Sequence, residues 1–416
     1  MAADDPDDAS FVSGKAAAAL LGVKRETLYA YASRGLLRSE PGGPARQRRY
    51  SREDVERLKA RSEARSGHGP VAAGALRWGE PVLESALTAI DPAGPRYRGH
   101  ASAELAATTS FEAVAELLWS GALPSSPPDW STRTSPGLRL ASLTALLPGS
   151  APPLTTLALA VPALAAADAD RFDHAHDREL ARAQMLIVRM ATLAGAGLDP
   201  GNVRRAQAEP DVAGALLASL GASPSPRSRR LMHRALILSA DHELNASTFA
   251  VRVAASAGAD LHACVSAGLA ALSGPRHGGI ADRIDALVRE VARPERARDV
   301  VAARTRRGEE LPGFGHPLYP AGDPRGAQLL AAAVQHAPRN PRLRLVCALV
   351  EAMHAAQRDP PTLDIGLAAI GAALGLPPAT NVAIFAVGRA AGWIAHILEQ
   401  RAAGFLLRPR ARYVGP

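Results

Sequence analysis

The sequence is short of sulfur and of aromatic rings. Among 416 residues there are two cysteines, Cys264 and Cys347, and aromatics make up 4%. Two thiols cannot build a disulfide framework, and they fit a reducing compartment such as the cytoplasm. Both lie in apolar helical patterns, as core side chains do. No run of about 18 apolar residues lacks a break, which argues against a membrane span. The longest apolar stretch, LTTLALAVPALAAA, is interrupted by Pro162. The N-terminus, MAADDPDDAS, is acidic, unlike the charged-then-apolar signal peptide. Strand signals are scarce, and no short repeat is evident. His174 and His176, in the polar run DHAHD, read as solvated side chains, so no metal site is expected.

What is abundant is alanine, leucine and arginine, in a chain that is 47% hydrophobic. Alanine and leucine favour helix. Apolar positions at i, i+3, i+4 and i+7 recur, as in FEAVAELLWSGALP and ELARAQMLIVRMATLAGAG, so the main body is expected to be all-α. The formal charge is +8, and it is unevenly placed: residues 15–65 hold 13 Lys/Arg against 6 Asp/Glu. Such a stretch is either a solvated surface or a nucleic-acid face.

Residues 11–65 read as a compact helical unit. Ser13 is placed to cap a first helix, which Gly22 ends. A second follows in VKRETLYAYASRG, with Leu28 and Tyr31 inward and Lys24, Arg25 and Tyr29 outward. LLRSEPGGPARQRRY is hairpin-like with a Gly-Gly tip, and Ser51 with Asp54 has the spacing of a capping box. Helix, glycine turn and helix is the helix-turn-helix pattern. The stretches AAALLGVKRETLYAYASRGLL and RRYSREDVERL resemble the mercury-resistance-regulator and excisionase class of winged helix-turn-helix domains. That resemblance implies DNA as a partner through residues 11–65. Lys24, Arg25, Thr27 and Tyr31 would lie near a major groove, and Arg46, Arg48 and Arg49 of the wing would meet phosphate. SEARSGHGPVAAGA reads as a linker.

Of the twelve histidines, five lie inside helical patterns with no obvious partner: His233, His262, His336, His354 and His396. Three others sit at helix ends or breaks, where side chains can face a cleft: His242 in SADHELNAST, His277 in SGPRHGGI and His316 in GFGHPLYPAGDPRG. The last stretch reads as a proline-stiffened, non-helical loop carrying both His316 and Arg325. With Asp364 in PPTLDIGLAA, and with Arg325, Arg389 and Arg408, these groups suit chemistry on a multiply charged acid. Arginines hold carboxylates bidentately, imidazoles polarise carbonyls, and a carboxylate takes a proton.

From residue 76 to the end the chain resembles citrate synthase. The motifs in order are ESALTAI with YRGHASAELA, ADHELNASTFAVRVAAS, SGPRHGGI, PGFGHPLYPAGDPR, FAVGRAAGWIAHILEQ and RPRARYVG. The resemblance implies an all-α fold with large and small helical domains and an intertwined homodimer. The implied division is 1–66 for the helix-turn-helix and 67–76 for the linker. The large domain would be 77–278 with 381–416, and the small domain 279–380. It implies His277 as hydrogen-bond donor to the thioester carbonyl, Asp364 as the base, and His316 as the group polarising the oxaloacetate ketone. His242, Arg325 and Arg389 would grip that substrate's carboxylates, with Arg408 lent by the partner subunit. The backbone of Gly313, Phe314 and Gly315 would meet coenzyme A. No resident cofactor is implied, the coenzyme A thioester being a substrate. Pro317 and Pro320 stand where many relatives carry basic residues, so the acyl group stays open between acetyl, giving citrate, and propionyl, giving 2-methylcitrate. A different class also stays open: a DNA-binding regulator whose synthase-like body senses a metabolite.

Overall fold

The computed structural model describes residues 11–33, 36–41, 48–65, 83–130, 135–410, 413 and 415; for residues 25, 57 and 60–65 it describes the backbone alone. The linker at 67–76 and Arg46 therefore lie outside the described residues. The chain forms two compact units, residues 1–84 with 408–416 and residues 85–407.

In the first unit, strand β1 (Phe11–Ser13) leads into helix α1 (Gly14–Leu21), then α2 (Arg25–Ser33), β2 (Ser39–Pro41), β3 (Arg48–Ser51) and α3 (Arg52–Arg65). Ser13 caps α1 by accepting from Ala16 N. Gly22 ends it at φ +62°, the left-handed conformation that glycine adopts without strain. The central strand β3 pairs antiparallel with both β1 and β2. Val12, Ala17, Leu28, Leu37, Tyr50 and Val55 form the core. Arg38 ties the wing to α3, its Nε 2.8 Å from Asp54 Oδ2.

The second unit begins with an antiparallel sheet that the sequence did not announce: β4 (Thr88–Asp91), β5 (Gly94–Tyr97) and β6 (His100–Ala101). Helices follow: α4 (Ser102–Thr108), α5 (Phe111–Ser120), α6 (Leu140–Leu146), α7 (Pro153–Ala166), α8 (His176–Leu193), α9 (Gly201–Gln207), α10 (Val212–Ser219), α11 (Pro226–Ser239), α12 (Ala246–Ser256) and α13 (Leu261–Leu272). Then come α14 (Ile280–Val291), α15 (Ala297–Arg306), α16 (Pro324–His336), α17 (Pro341–Ala355), α18 (Leu363–Ala373) and α19 (Asn381–Ala403). Helix α7 runs through Pro162 rather than stopping there.

Helix α19 is the axis of this body and packs on α11, α12, α13 and α5. It is long and apolar enough to cross a membrane by length and composition, but its apolar window is 94% buried inside the protein. It owes its close fit to glycine. A Cβ at Gly388 would lie 2.6 Å from Leu236 O of α11. The Gly392 N–H donates to Ala240 O.

Helices α16 and α18 pack as tightly, through Gly326 and Gly366. A Cβ on Gly326 would sit 2.3 Å from Thr362 O, and one on Gly366 would sit 3.0 Å from Gly326 Cα. Alanine in place of an exposed helical glycine gains up to about 1 kcal/mol. Here overpacking reverses that sign, so Gly326→Ala should destabilise by about 1–3 kcal/mol. A thermal melt checks it: a raised Tm contradicts the close approach.

Candidate active site

The chemistry-bearing residues lie at helix starts and ends around α19. Asp323 is the N-cap of α16, and Pro324 takes the first helical position, where its missing N–H costs nothing. This corrects one expectation: Arg325 stands in the first turn of α16, while His316 is on the preceding loop. Both Asp323 and Arg325 are buried. The Asp323 carboxylate receives Arg325 Nε at 2.9 Å and Nη2 at 2.8 Å. It also accepts the backbone N–H of Leu363, the first residue of α18, at 3.0 Å. Against burial, which pulls the guanidinium down, Asp323 raises the Arg325 pKa and is itself lowered.

Next to that pair stands a cluster of three rings. His242 and His316 meet edge to face at 5.3 Å. His242 Nε2 is 3.0 Å from the Tyr319 hydroxyl, and the Arg325 guanidinium lies over the Tyr319 ring at 5.5 Å. Burial, then the nearby Arg325 and Arg389, holds the His242 pKa well below its ordinary value. Burial and Arg325 lower His316 as well, with Asp323 opposing. His316 Nδ1 accepts from Leu318 N at 3.2 Å.

A second focus brings His277 and Asp364 together. Both line one cavity, with Gly278, Ala281, Leu367 and Asn381 among its walls. Asp364 is the second residue of α18, whose N-cap is Thr362. Thr362 Oγ1 reaches Asp364 Oδ2 at 3.2 Å and Gly313 O at 3.0 Å. Burial raises the Asp364 pKa, opposed by Arg325 and the Thr362 hydroxyl. His277 Nε2 is 2.7 Å from Ser247 Oγ, which receives Trp393 Nε1–H at 3.2 Å and can donate to Asn245 Oδ1 at 2.8 Å. When the Ser247 proton goes to His277 Nε2 instead, the neutral ring carries its own proton on Nδ1, a donor. Burial, then Arg389, pushes the His277 pKa down to about 4.

Arg389 is 1% exposed. Its Nε donates to Ser239 O at 2.7 Å. Its Nη1 is buried with no hydrogen-bond partner among the described residues, and burial lowers its pKa to about 10. An orphaned buried donor costs about 1–3 kcal/mol, which an anionic ligand recovers.

Gly313 and Gly315 have φ of +87° and +80°. Gly315 N donates to Pro360 O and Gly313 O accepts from Thr362 N, both at 2.9 Å. In such an antiparallel bridge the backbone groups of Phe314 point away from its partner strand. Arg408 is exposed and falls in the first compact unit, and it is not among the residues that line the cavity above.

Sequence reasoning passed over Asp323, Tyr319, Ser247, Asn381 and Phe385. Asp323 carried a readable signal, since Asp-Pro is an N-cap with proline at the first helical position. It also took His233 and His396 for histidines without partners. His233 Nδ1 accepts from Phe111 N, and His396 stands between Asp241 and Arg252.

In the first unit, Lys24 and Arg48 are exposed, and Tyr29 is the outward aromatic of α2 at 56% exposure. Thr27 is half-buried. Tyr31 packs on the core and Arg49 donates to Phe11 O, so both are partly committed to the fold. Of Arg25 only the backbone is described.

Known proteins match both units. The family "Citrate synthase, C-terminal domain" matches residues 75–410, and "Helix-turn-helix domain" matches 11–62. A protein named citrate synthase 2 from Bacillus subtilis is 34% identical over 47% of this chain, a match spanning 54% of that relative. A 2-methylcitrate synthase from Shewanella oneidensis is 30% identical over 81% of this chain and 93% of its own. Among solved structures, the citrate synthase of Thermoplasma acidophilum in ternary complex with carboxymethyl coenzyme A and oxaloacetate superposes with a TM-score of 0.70. It is 26% identical over 81% of this chain and 94% of that one.

The three lowered imidazoles give a pH test. A histidine whose folded pKa lies below 6.5 stabilises the fold above pH 6.5, and that share is lost as pH falls toward the folded value, about 4 for His277. The Tm should fall across that window. His277→Asn, which removes a titrating ring, should flatten part of the fall, and an identical pH dependence contradicts the assignment.

Proposed function

Starting from the fact that this chain belongs to the citrate synthase family, and is thereby an acyltransferase of the citrate (2-methylcitrate) synthase type, we propose that it condenses acetyl-CoA with oxaloacetate and water to give citrate and coenzyme A. The observation that carries this is the single cavity lined by both His277 and Asp364. In this reading the Asp364 carboxylate removes a proton from the thioester methyl, and its raised pKa makes it the stronger base. His277, neutral at pH 7, donates to the thioester oxygen as the enol forms. The enol carbon attacks the oxaloacetate ketone, whose oxygen His316 polarises, and water then hydrolyses the condensed thioester.

His242, Arg325 and Arg389 hold the dianion, with the orphaned Nη1 of Arg389 as the free donor. Arg408 completes the grip from the partner subunit of a homodimer. The backbone of Gly313, Phe314 and Gly315 meets coenzyme A, which enters as a substrate; citrate synthases need no resident cofactor. Closure of residues 279–380 on the rest of the body excludes water until condensation is complete. Two unpaired thiols fit the cytoplasm.

The helix-turn-helix match favours a second activity: duplex DNA held by α2 and the wing, with the synthase body serving regulation. In this reading Lys24, Arg25, Thr27 and Tyr31 lie near the major groove, and Arg46, Arg48 and Arg49 of the wing contact phosphate, with Lys24 and Arg48 exposed.

Two measurements test these readings. Asp364→Ala and His277→Ala should each lower thiol release from acetyl-CoA and oxaloacetate by about 10²–10⁴; wild-type rates in both overturn the chemistry. Arg48→Ala should weaken duplex binding and make its salt dependence shallower. Absence of salt-dependent binding by the full chain ends the DNA reading.

A further inference from the structure

Resting on the condensation reading, we propose that Val382, with Ala281 and Leu367, is a gauge that accepts the methyl of an acetyl thioester and rejects a longer acyl chain. The cavity shared by His277 and Asp364 is about 20 Å³, room for little more than one water-sized group. Besides His277, Asp364, Gly278 and the polar Asn381, the wall is apolar: Ala281, Leu367, Val382 and Phe385, all buried.

Helix periodicity explains the placement. Leu367 follows Asp364 by three residues on α18, and Phe385 follows Val382 by three on α19, so each pair shares a face. The carbon that gives up its proton has to lie against Asp364. Any atom beyond that carbon therefore meets this wall. Phe385 is pinned, its ring edge-on to His277 at 5.7 Å and beneath the Arg389 guanidinium at 4.6 Å. Leu367 is 2% exposed within the core. Val382 and Ala281, each the second residue of its helix, are the wall positions free of catalytic partners. A β-branched side chain in a helix keeps essentially one rotamer, so Val382 is a fixed wall. Family membership does not decide the acyl group, since relatives carry both names. Cavity size does.

The test compares kcat/KM for acetyl-CoA and propionyl-CoA at saturating oxaloacetate, in the full chain and in Val382→Ala and Ala281→Val. One methylene in an apolar pocket is worth roughly 10–200-fold, and the wild type should favour acetyl by that order. Val382→Ala should shrink the preference roughly 10-fold, and Ala281→Val should enlarge it. Because the readout is a ratio, partial misfolding that scales both rates leaves it unmoved. Equal use of both thioesters by the wild type overturns the gauge, as does a ratio unchanged in both variants. If the full chain releases thiol from neither, the condensation reading itself fails and the gauge falls with it.

Discussion

One carboxylate holds the site in register. Asp323 caps α16, takes two hydrogen bonds from the Arg325 guanidinium and accepts the first N–H of α18. Arg325 and Asp364 are therefore placed by the same anchor, from two helices that are far apart in sequence. Burying an ion pair is expensive, and breaking one by removing a partner costs about 3–5 kcal/mol because it strands the other charge. That penalty makes the arrangement all-or-none. The contact of Gly326 with Thr362 seals it, since neither helix can slide without a backbone clash.

Around this anchor the electrostatics pull proton affinities together. Desolvation lowers all three imidazoles and raises the one carboxyl of the cavity. A neutral imidazole can donate to a carbonyl oxygen without a prior proton-uptake step, and a carboxylate of raised pKa is a better base toward carbon. In the proposed reaction, the same burial that disfavours charge prepares both halves of the proton transfer. Hydroxyls border both groups: Ser247 Oγ lies 2.7 Å from His277 Nε2, and Thr362 Oγ1 lies 3.2 Å from Asp364 Oδ2.

Much of this was legible in the sequence, and the gaps have physical causes. The cap at Ser13 and the stop at Gly22 are local backbone chemistry, which local sequence encodes. The family motifs carried His242, His277, His316, Arg325, Asp364 and Arg389 to one region of the body. Strands β4–β6 escaped notice because segments of two to four residues are too short for alternation to register. Helix α7 continues through Pro162 because its apolar packing outweighs one lost backbone hydrogen bond. Ser247, Tyr319 and Phe385 are ordinary residues whose roles exist only once distant helices meet. Helix α19 looks like a membrane span because a core helix surrounded by helices faces the same demand for an apolar surface.

Three arginines are buried among the described residues, and their partners tell them apart. Arg252 is held by side chains: Nε by Gln400 Oε1, and Nη1 by Glu399 Oε2 and His396 Nδ1. Because His396 Nδ1 must accept that bond, its Nε2 bears the proton toward Asp241, 3.4 Å away. Asp241 is also held by Thr88, so strand β4 and helices α12 and α19 are tied together behind His242. Arg325 is matched by Asp323. Arg389 has only a backbone carbonyl on Nε and an empty Nη1. The fold neutralises two buried guanidinium groups with its own side chains and leaves Arg389 Nη1 short of an acceptor beside the histidine cluster, which is why the proposed condensation assigns that charge to the substrate dianion. In that reading the ligand is an anion small enough to share the space with His242 and His316.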